Sequence, residues 1–141
     1  MKSKWLAAMV FSCLMMSSQI ALAQDLASQL IGEWKQTSAV QKYAVSGAMN
    51  RRGPSGVAIF SRGGFFAFTL NATEFFGSGT FKVEGDVVIL RYEVCSNPSW
   101  IGQERRPTMQ VTDKVLTWTG ALLKDVVGDV YNEIYTLERI R

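Results

Sequence analysis

The sequence predicts an all-β fold, an eight-stranded antiparallel up-and-down barrel. Three observations carry that expectation. Beyond its N-terminal part the chain is a succession of short runs rich in β-branched and aromatic residues, with no sustained helical period. The runs are separated by Gly, Asn or Asp, and the breaks at Arg62-Gly63-Gly64, Glu84-Gly85-Asp86 and Asp113-Lys114 are short enough for hairpins, so neighbouring strands run antiparallel. Eight such strands form either a sandwich or a barrel, and closing the sheet removes the unpaired edges that invite aggregation.

Taken in order, the chain opens with Lys2 and Lys4, an apolar stretch from Trp5 to Met16 broken only by Ser12 and Cys13, and the small-x-small site Ala21-Leu22-Ala23 before Gln24. This is the pattern of a cleaved export signal over residues 1–23. Ser17, Ser18 and Gln19 stop the apolar run short of the roughly 20 residues a membrane span needs, so no stable membrane insertion is expected after cleavage. Acylation at Cys13 is a minor alternative, since Phe11 stands where a small residue is wanted. The implied location is periplasmic or secreted.

Residues 24–141 then form one domain, large enough to bury a core without covalent staples. A short amphipathic lead, Leu26 to Ile31, precedes the eight runs: Glu33 to Lys42, Gly56 to Ser61, Phe65 to Leu70, Gly77 to Glu84, Asp86 to Cys95, Glu104 to Thr112, Val115 to Leu123, and Val130 to Ile140. Two longer segments, Tyr43 to Pro54 and Ser96 to Gln103, are loops with freedom to act as lid or mouth.

Alternation along the runs assigns the faces. Phe60, Phe66 and Phe68 share one face, as do Leu116 with Trp118, and Val88, Leu90, Tyr92 with Val94; these look inward. Thr117, Thr119, Arg91 and Glu93 suit solvent, while Val57, Ile59 and Phe65 are apolar on the same outer side. An inward Phe60, Phe66, Phe68, Tyr92 or Trp118 either fills the barrel or walls a ligand cup. Trp100 is a plug or a stacking lid. Adjacent Arg105 and Arg106 must point to opposite faces, so one of them is a candidate to bind a ligand carboxylate, the alternative being an ion pair with Glu104 or Glu133. Arg91 and Glu93 are an exposed pair, or an inward one if the register slips by one residue.

Composition removes several chemistries. The chain has no histidine, which excludes Ser-His-Asp triads, Cys-His dyads and His-ligated zinc within the chain. No metal or other cofactor is expected. Without residues 1–23, 13 Lys and Arg oppose 12 Asp and Glu, and no basic run exceeds two residues, so nucleic acid is not an expected partner. Cys95 is left alone and reads as a buried thiol, since no His is available to activate it. Asn71-Ala72-Thr73 matches a glycosylation sequon, relevant only on a eukaryotic secretory route.

Four segments together resemble a known family. Leu30-Ile31-Gly32-Glu33-Trp34-Lys35 looks like the G-x-W opening strand of lipocalin-type barrels. Gly53 to Ser61, followed by Gly64, resembles the second-strand segment of the bacterial lipocalin-like domain family, a calycin-type β-barrel. Asn97-Pro98-Ser99-Trp100-Ile101-Gly102 with Arg105-Arg106 resembles its P-x-W-x-G…R segment, and Tyr135 to Arg139 its closing strand. The likeness covers nearly all of residues 24–141. It implies that Trp34 plugs the closed end of the barrel with Arg139 over its ring, a cation–π contact. It further implies small apolar ligands, with no established reaction for most members. The Phe-rich second hairpin and Pro107 depart from the family pattern.

These readings make the leading expectation a non-catalytic protein holding a small hydrophobic or amphipathic ligand, with Phe60, Phe66, Phe68, Tyr92, Trp100, Arg106 and Trp118 as ligand-binding residues. One alternative is an isomerase or cyclase of a hydrophobic substrate using Tyr92, Glu104 or an Arg. The other is an interaction or inhibitor module acting through Val57, Ile59 and Phe65.

Overall fold

The computed structural model of the protein describes residues 26–53, 55–125 and 127–140; the expected export signal lies outside them. Residues 26–30 make a short helical turn. The strands that follow are β1 (Gly32–Tyr43), β2 (Met49–Arg52), β3 (Gly56–Phe60), β4 (Phe65–Leu70), β5 (Phe75–Glu84) and β6 (Val87–Cys95). After a 3₁₀ turn at Pro98–Trp100 come β7 (Glu104–Arg105), β8 (Thr108–Val111), β9 (Val115–Thr119), β10 (Leu123–Lys124) and β11 (Val130–Arg139). They form one antiparallel sheet in the order β7-β6-β5-β4-β3-β1-β11-β9-β8, with β2 added to β1 and β10 to β11, curled into a half-barrel.

Eleven strands stand where eight were expected, for local reasons. The run from Glu104 to Thr112 is interrupted at Arg106 and Pro107. Proline has no N–H to give a ladder, so the chain stops pairing with β6 at Arg105 and resumes as β8 on β9. Part of the expected loop from Tyr43 to Pro54 is β2, which pairs with the second half of β1 after β3 has paired with the first half. The run from Val115 to Leu123 ends at Thr119, and Leu123 and Lys124 pair separately with β11.

Two register shifts adjust which side chains face inward. On β1, Thr37 falls between the paired residues Gln36 and Ser38; the buried positions pass from Trp34 and Gln36 to Ala39 and Gln41, so the inner row continues. On β6, Tyr92 pairs with Gly79 but Val94 with Ser78, which leaves Glu93 over. Val94, expected inside, is therefore 51% exposed, and Cys95 turns inward instead. A Cβ on Gly79 would stand 2.0 Å from the Arg91 carbonyl oxygen, so this bulge requires glycine.

The hairpin turns after β3, β5 and β8 lie at one end of the sheet, together with the helical turn. Trp34 closes this end. It is fully buried, its Nε1–H donates to the Leu30 carbonyl at 2.9 Å, and the Arg139 guanidinium lies 4.1 Å from its ring centroid. Arg139 also donates to the carbonyls of Gln29, Ile31 and Asp113, joining the lead, the β8–β9 hairpin and the last strand. Above this end Phe60, Phe66, Phe68 and Trp118 form a continuous aromatic core, with Phe68 and Trp118 edge to face at 5.0 Å.

Arg139→Ala removes charge-assisted hydrogen bonds to three carbonyls and a cation–π contact, and is expected to cost about 2–4 kcal/mol in urea denaturation. Arg139→Lys is expected to recover less than half of that loss, because an ammonium cannot span the same three acceptors. Equal stabilities of wild type and Arg139→Ala would show that the clamp contributes nothing.

Candidate functional site

The opposite end of the sheet carries a cavity of about 260 Å³. This is slightly below the roughly 300–1,000 Å³ of most small-molecule sites and suits a compact ligand or one end of a longer one. Aromatic side chains form its apolar wall: Phe75 from the start of β5, Tyr92 from β6, Trp100 from the 3₁₀ turn, Trp118 from β9 and Tyr135 from β11. Phe75 links wall to core, lying 4.7 Å from the Phe68 ring and 5.7 Å from Trp100. Gly77 makes room for the wall, since a Cβ there would fall 2.9 Å from the Tyr92 ring and 3.1 Å from Phe68.

The polar lining comes from Arg52, Asn71, Glu74, Asn97, Arg105, Arg106 and Glu133, together with the phenols of Tyr131 and Tyr135. Most of these groups are already partnered. Arg52 pairs with Glu74 across the mouth. Glu133 accepts from the Tyr135 hydroxyl through one oxygen and from Gln41 Nε2, at 3.2 Å, through the other. Arg106 donates to Glu104 at 3.3 Å on the outer side.

Arg105 behaves differently. Its cross-strand partner is the fully buried Leu90, whereas Glu104 opposes the exposed Arg91, and directly opposed residues share a face. Arg105 is thus the inward member of the pair, with its guanidinium 4.3 Å from the Trp100 ring centroid.

The rim turn between β4 and β5 has an unusual backbone. Asn71, Ala72 and Thr73 all have positive φ, at 51°, 54° and 76°, a conformation that side-chain-bearing residues adopt at a cost. Gln36 holds it. This fully buried amide accepts from the Asn71 N–H at 3.0 Å and donates to Asn71 Oδ1 at 3.1 Å. The Ser96-to-Gln103 segment is likewise tied down: Asn97 caps the Pro98–Trp100 turn, and the Gly102 N–H donates to the Tyr92 carbonyl at 2.8 Å. Trp100 is accordingly a pinned wall residue rather than the tip of a free lid.

Of the residues selected from sequence, Tyr92, Trp100, Arg106 and Trp118 line the cavity. Phe60, Phe66 and Phe68 do not; they are buried beneath it and fill the interior. Trp34 and Arg139 meet at the far end. Glu104 is exposed at the edge, and Val57, Ile59 and Phe65 are 43%, 45% and 59% exposed on the outer face.

Phe75 lies two residues before the expected run from Gly77 and so falls outside the expected ligand wall, as does the inward row of the last strand. Alternation through Tyr131, Glu133, Tyr135 and Leu137 was the available signal. No protein-family model matches the chain, and no curated protein does.

Burial raises the pKa of both wall phenols above the usual tyrosine value of about 10, reinforced at Tyr135 by the Glu133 carboxylate and at Tyr92 by Cys95. A folded-state pKa above the unfolded one favours the protonated fold. This contribution is fully present below about pH 10 and is lost as the pH rises beyond it. A phenolate absorbance titration is therefore expected to show Tyr92 and Tyr135 ionising only as circular dichroism reports unfolding, and ionisation of both in the intact fold would contradict their burial. Gln36→Leu, which leaves the buried Asn71 N–H without its acceptor, is expected to cost about 1–3 kcal/mol and to speed amide exchange at Asn71. Unchanged exchange there would show that the turn holds without Gln36.

Proposed function

We propose that the protein is a lipocalin-like barrel, exported to the periplasm or outside the cell, that holds a small hydrophobic or amphipathic molecule in the cavity at its open end. The observation that carries this reading is the cavity itself: an aromatic wall continuous with the core, under a polar rim, at the end of the sheet opposite the Trp34–Arg139 plug. Apolar surface covered by a ligand there contributes roughly 25 cal/mol per Å², and binding asks for no chemistry beyond that.

Closure of the half-barrel into eight staves is supported by the strand order. The path ends on β7 and β8, which only Arg106 and Pro107 separate in the chain. Taking β7 with β8, and β2 with β3, as interrupted single strands leaves eight staves with β10 as an appendage.

One observation favours an isomerase or cyclase as a second reading. Tyr135 and Glu133 form a hydrogen-bonded phenol–carboxylate pair on the cavity wall, a proton donor and acceptor in a chain without histidine.

The test is mass spectrometry of molecules released from the protein purified from its native compartment under non-denaturing conditions. The expected result is one apolar or amphipathic species at near-equimolar yield from wild type, reduced at least tenfold by Ala121→Trp, which crowds the mouth without entering the core. An unchanged urea midpoint in Ala121→Trp confirms that it has folded. A wild type that is folded and empty counts against the carrier. In that case, turnover of candidate substrates that Glu133→Gln abolishes would establish the enzyme reading.

A further inference from the structure

We infer that Arg105 is the anchor for an anionic group of the ligand, so that the molecule held in the cavity is an amphipathic monocarboxylate with a compact apolar body; this rests on the ligand-site reading above. The charged groups that line the cavity differ in whether their hydrogen-bonding partners are already supplied by the protein. Arg52 and Glu74 neutralise one another, Arg106 is drawn outward to Glu104, and both oxygens of Glu133 already accept hydrogen bonds. Arg105 alone among these cations has no acceptor: among the described residues no ion pair or side-chain hydrogen bond involves it, and its guanidinium lies on the face of Trp100.

A guanidinium stacked on an indole keeps its edge N–H groups free, and those groups form the planar fork that matches a carboxylate. The stack also fixes the fork. Trp100 is held by the Asn97-capped turn and by contact with the Phe75 and Tyr92 rings, so the cation is positioned before any ligand arrives. The same geometry places the apolar body of the ligand. With its carboxylate on Arg105, the remainder extends over Phe75 and Trp118, away from the Arg106–Glu104 pair.

A matched pair of probes tests this. Calorimetric titration of the protein with 4-phenylbutyrate and with 4-phenylbutanol compares one apolar body carrying a carboxylate or a hydroxyl. Transfer out of water favours the alcohol, because the carboxylate is the more strongly hydrated of the two, so a preference for the acid must come from the site. Wild type is expected to bind the carboxylate about 10- to 100-fold more tightly than the alcohol, with the difference shrinking as salt rises. Arg105→Gln is expected to erase the preference by weakening the carboxylate alone. Arg105→Lys, which keeps the charge but loses the fork, should retain part of it, and Arg91→Gln on the outer face should leave it intact.

Alcohol binding that equals carboxylate binding in wild type overturns the role of Arg105 and leaves the cavity as a ligand site. So does equal weakening of both probes in Arg105→Gln. Failure of both probes to bind wild type overturns the ligand-site reading together with the anchor.

Discussion

The structure depends on one long-range pairing, that of its first and last strands. Nine register pairs join β1 to β11, from Trp34 with Arg139 to Tyr43 with Tyr131, between residues about a hundred positions apart in the chain. The ladders from β3 to β6 and from β8 to β9 are hairpins that close short loops. The β1–β11 ladder must close almost the whole chain, with a correspondingly larger loss of entropy. Arg139 helps to offset that loss at the point of closure, because its carbonyl acceptors belong to the lead segment and the β8–β9 hairpin rather than to its own strand. The same ladder sets the far end of the sheet. Opposing Gln41 to Glu133 brings an amide onto the carboxylate that also receives the Tyr135 phenol.

Three polar side chains are buried: Gln36 and Gln41 on the inward row of β1, where alternation alone would put apolar residues, and Asn71 in the turn after β4. Each is satisfied, and no buried side-chain nitrogen or oxygen among the described residues lacks a partner. A buried amide is costly unless its hydrogen bonds are complete, and once complete it fixes its neighbours more rigidly than a methyl group would. Gln36 holds the left-handed turn that supplies Asn71 and Glu74 to the rim, and Gln41 holds Glu133. Both lie on β1, one on each side of the bulge at Thr37. The strand that is plugged by Trp34 at one end thus organises the polar lining at the other.

Sequence reading captured what depends on local chemistry. The turns at Gly63-Gly64, Gly85 and Asp113-Lys114 lie between strands where their residue types called for them, and the inward row of Phe60, Phe66 and Phe68 is buried. It missed what depends on interruptions in a regular pattern. One leftover residue, Glu93, reverses Val94 and Cys95. Its cause is visible only in the pairing, where Gly79 permits a close approach of the Arg91 carbonyl. Pro107, a departure from the family pattern in the sequence, divides a strand in the fold. The choice between Arg105 and Arg106 had the same origin: alternation required them to part, but only the opposition of Arg105 to Leu90 says which one turns inward.

Whether the interior is filled or open has a graded answer along the axis. Above the buried Trp34, from Phe60 through Phe66 to Phe68, the rings meet one another and leave no cup, which is why those phenylalanines serve as core. Beyond Phe68 the packing changes because the Tyr92 ring closes over Gly77 and the row passes to residues with polar ends, Tyr92, Trp100 and Tyr135. A void lined only by hydrocarbon would stay dry, whereas one rimmed by arginines, glutamates and asparagines can hold ordered water. A ligand entering such a cavity releases water from the aromatic wall at a gain and from the polar rim at a loss. The gain is kept only if the ligand brings its own polar group to the rim. An entirely apolar molecule would strip the rim of its water without replacement, so the physics of the cavity favours a ligand that is apolar at one end and hydrogen-bonding at the other.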